Sequence, residues 1–533
     1  MGLNKRLGAA ILKRWTIAAC PPIRESYRKV RFTAYWLLSF ILLSTICIIV
    51  PLRLLLSFRL RDQEIIITMT STNPPKTAAD SVASGVLPGD ITRTLARYLV
   101  AAKPADLPEP VRAHAVRTFL NWLGCAVGAS RHEAVEIAMQ ALAPFGGPAQ
   151  ASVLGRRERV DVLSAALFNG ISSHVFDFDD THLKTVIHPA GPVASALLAF
   201  AEYQSVSGAD FLHALALGVE TECRIGNAVF PQHYDIGWHI TGTVGVFGAA
   251  AAVGKLLKLD EQRMVWALGL AATQPVGLRD MFGTMTKSFH PGRAAQNGLT
   301  AALLASRGYT SSEQGIEAKR GWANVTSTRH DYREITEGLG ERHESLLNSY
   351  KPFACGIVIH PAIDGSIQLR NEQQLRAEDI ASVALKVHPL VLELTGKRTP
   401  QVGLEGKFSV FHSVAVAFID GRAGETQYSD SAVHDARTIK LRDSVQAEID
   451  PAMAADAVHI TVTLTDGRKL EKFVEHAIGS KDRPMTNDDL AVKFTDLVEP
   501  ILGAARAASL LQACWALPSA ASLETVASLA RPE

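Results

Sequence analysis

From residue 174 the chain reads His-Val-Phe-Asp-Phe-Asp-Asp-Thr-His-Leu-Lys-Thr-Val-Ile-His-Pro. Asp177, Asp179 and Asp180 crowd together there, flanked by His174, His182 and His188, with the hydroxyl of Thr181 among them. Carboxylates and imidazoles held this close push each other's pKa values apart, so one site can hold both an acid and a base near neutral pH. The same groups are ligands for hard metals, which makes a metal nest the competing chemistry. Packing alone does not select such a run between two apolar helical stretches.

Four further polar places interrupt apolar text. Gly237-Trp-His-Ile-Thr-Gly242 sets His239 at the start of a glycine-rich helix. A helix N-terminus favours anions and lowers a histidine's pKa, so His239 is a candidate neutral base, against the plainer reading of a capping histidine. Met285 to Arg293 gathers Lys287, His290 and Arg293 around a Pro-Gly pair, which reads as a loop offering positive charge to carboxylates, or simply a solvated basic loop. Lys351-Pro-Phe-Ala-Cys355-Gly356 leads into His360-Pro361-Ala-Ile-Asp364. Lys407-Phe-Ser precedes His412-Ser413.

The elements that must position these residues fall into two kinds. From about Ile91 to Asn348 the apolar period is helical, over Pro110–Val127, His132–Leu142, Arg159–His174, Pro192–Gln204, Asp210–Ile225, Thr241–Leu257 and Glu261–Ala272. Asp210 is the expected N-cap of its helix, and Gly226 and Gly254 are expected at helix ends. After Tyr350 the pattern changes. Val383–Val387 alternates like a strand, and 459–474 reads as a β-hairpin turning at Asp466-Gly467. Helical text returns from Thr486, with Asp488 or Asp489 near its start. The expected fold class is therefore mainly α with an α+β insertion: a large all-α domain over 90–348, a smaller α+β domain over 349–484, and a return to the helical domain over 485–533. A cleft at the junction is where a ligand site is expected.

At 533 residues the chain is long enough for more than one core. Its formal net charge of +1 hides an asymmetry. Residues 1–68 hold eleven basic and three acidic residues, so the remainder is net acidic and shows no basic stripe, which argues against nucleic acid as a partner. The six cysteines are scattered and none forms a Cys-x-x-Cys pair, so the expectation is free, buried thiols in a reducing compartment, with the body cytoplasmic.

Residues 1–68 form a basic and hydrophobic extension. Phe32 to Leu52 is uncharged and apolar, close to the roughly 20 residues that a spanning helix needs, so 32–52 is a transmembrane candidate and a route to membrane association. The flanking charges slightly favour the body outside the cytoplasm, which fits poorly with free thiols. The competing expectation is that Met69 is the true start and that 1–68 is a translated upstream stretch.

Taken together the motifs are far more specific than any one of them. Asn169-Gly170, His174, Asp177-Phe-Asp-Asp-Thr-His182 and His188-Pro189 resemble the signature segment of the MmgE/PrpD family. Gly237-Trp-His239, Thr286-Lys287-Ser-Phe-His290-Pro-Gly, Lys351-Pro-Phe-Ala-Cys, His360-Pro-Ala-Ile-Asp, Lys407-Phe-Ser and Pro484-Met-Thr486 follow in the family's order, over about 90–520. The family includes 2-methylcitrate dehydratase, cis-aconitate decarboxylase and an iminodisuccinate epimerase. The resemblance implies a helical domain with a smaller α+β lid, a homodimer, no metal and no organic cofactor, and a site between body and lid. It places Asp177, Thr181, His188, His239, Lys287 and Lys351 at that site.

Two positions depart from the family. Decarboxylase-type members carry a histidine where this chain has Gly356, which speaks against cis-aconitate decarboxylation. Many members have tyrosine at His412, which leaves the proton donor open between His188 and His412. The implied chemistry is removal of a proton α to a carboxylate, with Lys287, Lys351 and Arg293 stabilising the enediolate and holding carboxylates, helped by His290. His239 is the first choice as base and His188 the second, with Asp177 and Thr181 orienting. The expected function is a cofactor-independent hydro-lyase acting on a small di- or tricarboxylate, 2-methylcitrate-like. The alternatives are an epimerase or racemase, a decarboxylase, and, in a different class, a membrane-tethered carboxylate-binding protein without turnover.

Overall fold

Ile240–Leu256 is built almost wholly of Gly, Ala, Val and Thr, and every residue in it is buried except Lys255. A helix apolar all round must lie at the centre of a bundle. Lys255 shows how its one cation is accommodated: Nζ donates to the carbonyls of Leu99, Val100 and Ala102 at 2.6–2.9 Å, closing the C-terminal end of helix Ile91–Ala101. Positive charge at that end also suits the helix dipole. The computed structural model describes residues 90–533. The transmembrane candidate 32–52 lies outside the described residues. Among those described, no helix is long and apolar enough to cross a membrane.

The helices are α1 (Ile91–Ala101), α2 (Glu109–Gly128), α3 (Glu133–Leu142), α4 (Val162–Val175), α5 (Ala190–Tyr203), α6 (Gly208–Val229), α7 (Ile240–Leu256), α8 (Glu261–Ala272) and α9 (Thr286–Ser306). Helix α7 packs against α5, α6, α8 and α9. One expected start was wrong: Arg159–Val160 pairs with Ala151–Ser152 as a short strand, and Asp161 caps α4 by accepting from the amides of Leu163 and Ser164. The N-cap of α6 is Ser207, not Asp210. Its hydroxyl accepts from the Asp210 amide, so Asp210 sits in the first turn. Gly226 and Gly254 lie inside α6 and α7, where they make room for Ile187 and Met264.

The largest correction concerns 286–293, expected as a loop and found as the first turns of α9, with Pro291 inside the helix. Pro291 forgoes a helical hydrogen bond. Tertiary packing compensates: a Cβ on Gly170 would stand 2.5 Å from Gly292 Cα, so α4 and α9 meet backbone to backbone beside the proline.

Beyond Tyr350 come α10 (His360–Gln373), α11 (Val410–Asp420) and α12 (Ala436–Asp443), together with a sheet. A short ladder of β1 (Asp180–His182) against β2 (Asn348–Tyr350) precedes it, antiparallel, with Thr181 opposite Ser349. The sheet proper orders its strands β4 (Val445–Ile449), β3 (Ile380–Val387), β5 (Val458–Leu464) and β6 (Lys469–Val474). Strands β3 and β4 run parallel, while β5 and β6 form the hairpin over Asp466-Gly467. Val383, Leu385 and Val387 bury one face of β3 against α10 and α11, each adding about 1.5–3 kcal/mol of apolar burial. Helix α13 (Asn487–Leu502) starts with a capping box between Thr486 and Asp489, and packs Leu490, Phe494 and Leu497 on α2. Helix α14 (Ala504–Trp515) follows it. The described residues are mainly helical, with this four-stranded sheet and two short two-stranded ladders.

Candidate active site

Helix α4 ends at Phe176, and Asp177 turns out of it with a left-handed φ of +51°. Aspartate tolerates that conformation better than most residues. Three consecutive carbonyls at this turn are then taken by three buried lysines from distant parts of the chain. Lys407 Nζ donates to the Phe176 carbonyl (2.7 Å), Lys351 Nζ to that of Asp177 (2.9 Å) and Lys493 Nζ to that of Phe178 (2.6 Å). The turn is fixed in place from outside.

The Asp177 side chain receives two ammonium groups on one oxygen. Lys287 Nζ lies 2.6 Å and Lys351 Nζ 3.0 Å from Oδ1, with all three residues buried, while Oδ2 has no hydrogen-bond partner among the described residues. Burial opposes the Asp177 carboxylate, but Lys287 and Lys351 outweigh it and hold the carboxyl well below its usual range. Burial lowers the Lys287 pKa, against which Asp177 raises it. Lys287 is also clasped between the rings of Phe282 and Phe408, each 5.3 Å away. One carboxylate and two ammoniums leave a net positive pair facing the cleft.

The ladder of β1 on β2 brings Lys351 beside Asp177 and sets up the neighbouring carboxylates. Asp179 Oδ2 is 2.6 Å from His174 Nδ1, and its other oxygen is 3.5 Å from His188 Nδ1. Burial opposes its charge, but His174 and His188 bring Asp179 down to about 2. Asp180 accepts from Asn348 Nδ2 and the Ala190 amide, yet burial and the adjacent Asp179 push it up to about 7. Two successive carboxyls are thus driven apart, as the spacing suggested.

His188 is oriented by its backbone amide, which donates to Thr241 Oγ1 at the start of α7, and by Nδ1, which lies 2.7 Å from the Asp180 carbonyl and 3.3 Å from Thr181 Oγ1. A carbonyl only accepts, so Nδ1 carries the proton and Nε2 holds the free lone pair. His239 is the N-cap residue of α7, and its Nδ1 is 2.9 Å from Nδ1 of His290. Burial holds both His188 and His239 well below the ordinary imidazole value; Lys287 adds to this at His239, while at His188 Asp179 works against it. Both rings are neutral near pH 7.

These groups share one cleft of about 460 Å³, including its open mouth. Asp177, Thr181, His188, His239, Lys287 and Lys351 form its polar side. Val186, Tyr234, Phe282, Gly356, Ile357, Val358, Leu394, Thr395 and Phe408 complete the wall. Val186 has φ +55°, strained for a β-branched residue, at the loop that closes the polar side.

Three residues expected at the site are placed differently. Arg293 bonds Gln296 Oε1 and stacks over Phe289, lining a separate surface depression with Phe145. His412 donates from Nε2 to the Gln427 carbonyl, and it is not among the cleft-lining residues. His290 stands behind His239 rather than in the wall. His182 ties Thr185 to Glu344 and holds the loop.

Two participants were missed by sequence reasoning. Lys493 follows Leu490 by three residues and precedes Phe494, so a lysine on the buried face of an amphipathic helix was the available signal. Tyr234 offered none. The four described cysteines, Cys125, Cys223, Cys355 and Cys514, are free and buried.

His174, Asp177 and His188 each offer a ligand atom within 4.8 Å of the others. A divalent cation there would meet the two ammonium groups already on Asp177, so this donor set suits an anion better than a metal.

The site is thus a cleft with paired ammoniums and neutral imidazoles, set between a helical bundle and a sheet-bearing segment. The chain belongs to the MmgE/PrpD family: the N-terminal domain of that family matches residues 93–335 and the C-terminal domain 353–517. It is 27% identical over 469 residues to a cis-aconitate decarboxylase-like protein of Aspergillus oryzae, covering 83% of this chain and 97% of that protein. It is 26% identical to a cis-aconitate decarboxylase of Aspergillus terreus over 81% of this chain and 93% of the relative. With a 2-methylcitrate dehydratase of Salmonella typhimurium it shares 25% identity, over 68% and 81% of the two chains.

Proposed function

We propose that this protein is a cofactor-independent lyase that removes a proton α to a carboxylate of a small hydroxy di- or tricarboxylate and expels the β-hydroxyl as water. The observation that carries this reading is the pairing of two neutral histidines, His188 and His239, with two ammonium groups on a single carboxylate in one cleft. Lys287 and Lys351 bind a substrate carboxylate and stabilise the enediolate as its charge develops, a contribution of about 10²–10³ in rate per donor. His188 is the base, because its Nδ1 proton is committed to the Asp180 carbonyl and Nε2 is left basic. This reverses the order expected from sequence. His239 protonates the leaving hydroxide from Nε2. Thr181 supports the His188 ring, and Asp177 fixes the two lysines.

The second reading is decarboxylation of a cis-aconitate-like acid, favoured by the names of the relatives that span most of the chain. Gly356 stands where decarboxylase-type members carry a histidine, so dehydration ranks first. An epimerase would use the same two histidines on opposite faces of the α-carbon. Proton NMR in heavy water, with 2-methylcitrate, citrate, malate and cis-aconitate as probes, separates the three. Dehydration gives a new alkene signal, decarboxylation loses a carbon, and epimerisation exchanges the α-proton with neither. Exchange without loss of water or CO2 from every probe would remove both lyase readings.

A further inference from the structure

We propose that His290 is the proton relay of the site: it passes protons between His239 and solvent, so that His239 can give up its Nε2 proton without becoming an anion. This rests on His239 being the acid of the proposed reaction. The geometry is a direct bond between two imidazoles, Nδ1 to Nδ1 at 2.9 Å. One ring must donate and the other accept, and the two choices differ only by exchange of tautomers. When His290 donates, His239 carries its other proton on Nε2, towards the cleft, and is an acid. When His239 donates, its Nε2 holds a lone pair and it is a base.

His239 lines the cleft and His290 does not. Nε2 of His290 has no hydrogen-bond partner among the described residues, and the residue retains 4% of its surface. The pair is closed from behind by Gly277, which belongs to a half-buried loop. A Cβ there would come within 3.0 Å of both Cγ and Nδ1 of His290 and within 3.2 Å of His239 Cβ, and Gly277 has φ +113°. A side chain at 277 would both crowd the two rings and strain the backbone, which favours glycine there. The Gly277 carbonyl also accepts from the His239 amide at 3.1 Å, locking the loop to the N-terminus of α7.

The proton count closes. A solvent proton arrives at Nε2 of His290 as its Nδ1 proton moves to Nδ1 of His239, while the Nε2 proton of His239 moves to the departing hydroxide and forms water. Neither ring passes through an imidazolate or an imidazolium. Avoiding the imidazolium matters because the groups around the pair are His174 from α4 and Lys287 one turn away on α9, and a positive ring between them is costly. The α-proton held by His188 supplies the reset: passed through cleft water to Nε2 of His239, it drives the Nδ1 proton of His239 back to Nδ1 of His290, and the Nε2 proton of His290 leaves to solvent.

His290→Asn and His290→Phe test this. Asparagine puts an amide near the place of Nδ1 and keeps a bond to His239, but cannot carry a proton through; phenylalanine keeps the ring shape and removes the bond. The expected result for His290→Asn is an unchanged Tm, a KM within twofold and a kcat lowered at least tenfold. Added imidazole restores part of that kcat, and the solvent isotope effect rises. In apo protein labelled with ¹⁵N-histidine, which needs no substrate, His239 should show both tautomers in the wild type and one in His290→Phe. Wild-type kcat in His290→Asn, a kcat loss that imidazole does not relieve, or a single His239 tautomer in the wild type would each overturn the relay. His239→Ala separates the two levels. If it turns over at full rate the assignment of His239 as the acid falls and the relay with it, while the lyase reading still stands on the NMR probes; an inactive His239→Ala beside a fully active His290→Asn removes the relay alone.

Discussion

Asp177 neutralises only one of the two ammonium groups that touch it, and this makes its neighbours unequal under substitution. Asp177→Asn leaves Lys287 and Lys351 buried without a counter-charge, which costs about 3–5 kcal/mol, since breaking a buried pair strands the remaining charge. Lys287→Met leaves a neutral Asp177–Lys351 pair and puts an apolar chain between Phe282 and Phe408, so its stability cost should stay near 0–1 kcal/mol. Turnover should fall about 10²–10³-fold in both. Urea denaturation beside the NMR assay checks this, and equal stability losses would contradict the charge count. The same residues fix a pH profile. His188 and His239 titrate well below 6.5, so kcat/KM should stay level as pH falls through 6.5 and drop only at lower pH. An acid limb centred at 6.5 would mean that neither ring is buried in the working enzyme. These polar residues were visible in the sequence because each interrupts apolar text. Their pairing was not: His290 and Arg293 stand three residues apart on α9, and only the helix shows that one meets His239 while the other faces Phe289 and Gln296.

At the scale of elements, the site depends on contacts between segments far apart in sequence. The β1–β2 ladder joins 180–182 to 348–350, and Lys493 on α13 joins the C-terminal helices to the same turn. Lys493 Nζ serves Asn121 Oδ1 and the carbonyls of Phe178 and Lys351, and burial lowers its pKa to about 8. Lys493→Met strips these buried acceptors of their donor, at about 1–3 kcal/mol for each left unsatisfied. It should therefore lower Tm, speed hydrogen exchange at the backbone amides of 176–182, and reduce turnover although Lys493 lines no part of the cleft. Unchanged exchange in that segment would show the turn to be held by Lys351 and Lys407 alone. Periodicity located most of these elements within a few residues, because α2, α5, α7 and α8 carry long apolar faces. It failed at α9, where Pro291-Gly292 signals a turn and only the Gly170 contact on α4 makes the helix worthwhile. A three-residue ladder such as β1–β2 has no period to read.

Many imidazoles are buried among the described residues, and the acid stability of the fold follows from them. Burial brings His114, His233 and His290 each to about 4 and His360 to about 3, from 6.5. Each is neutral in the fold while its unfolded counterpart takes up a proton below 6.5, so the unfolded state binds more protons in that window. Stability then falls as pH drops from 6.5 towards 4, by about 1.4 kcal/mol per pH unit for each such histidine. Asp180 works the other way. With its folded pKa raised to about 7, it retains a proton that the unfolded chain loses near 3.8, and so stability falls as pH rises between those values. The four histidines outnumber it, and the net slope between pH 6.5 and 4 should be positive with pH. Asp179, held at about 2, adds a further loss only below 3.8. Urea titrations at half-unit steps from pH 7.5 to 4.5 should show the midpoint falling steadily below 6.5, with more protons taken up on unfolding than released. His233→Gln separates this cause from general acid expansion. His233 bonds the Thr326 carbonyl and Thr243 Oγ1, and replacing it should flatten the slope by about one proton while lowering stability at pH 7.5 by the lost bonds. A slope unchanged in that variant would assign the acid loss to groups other than the buried histidines.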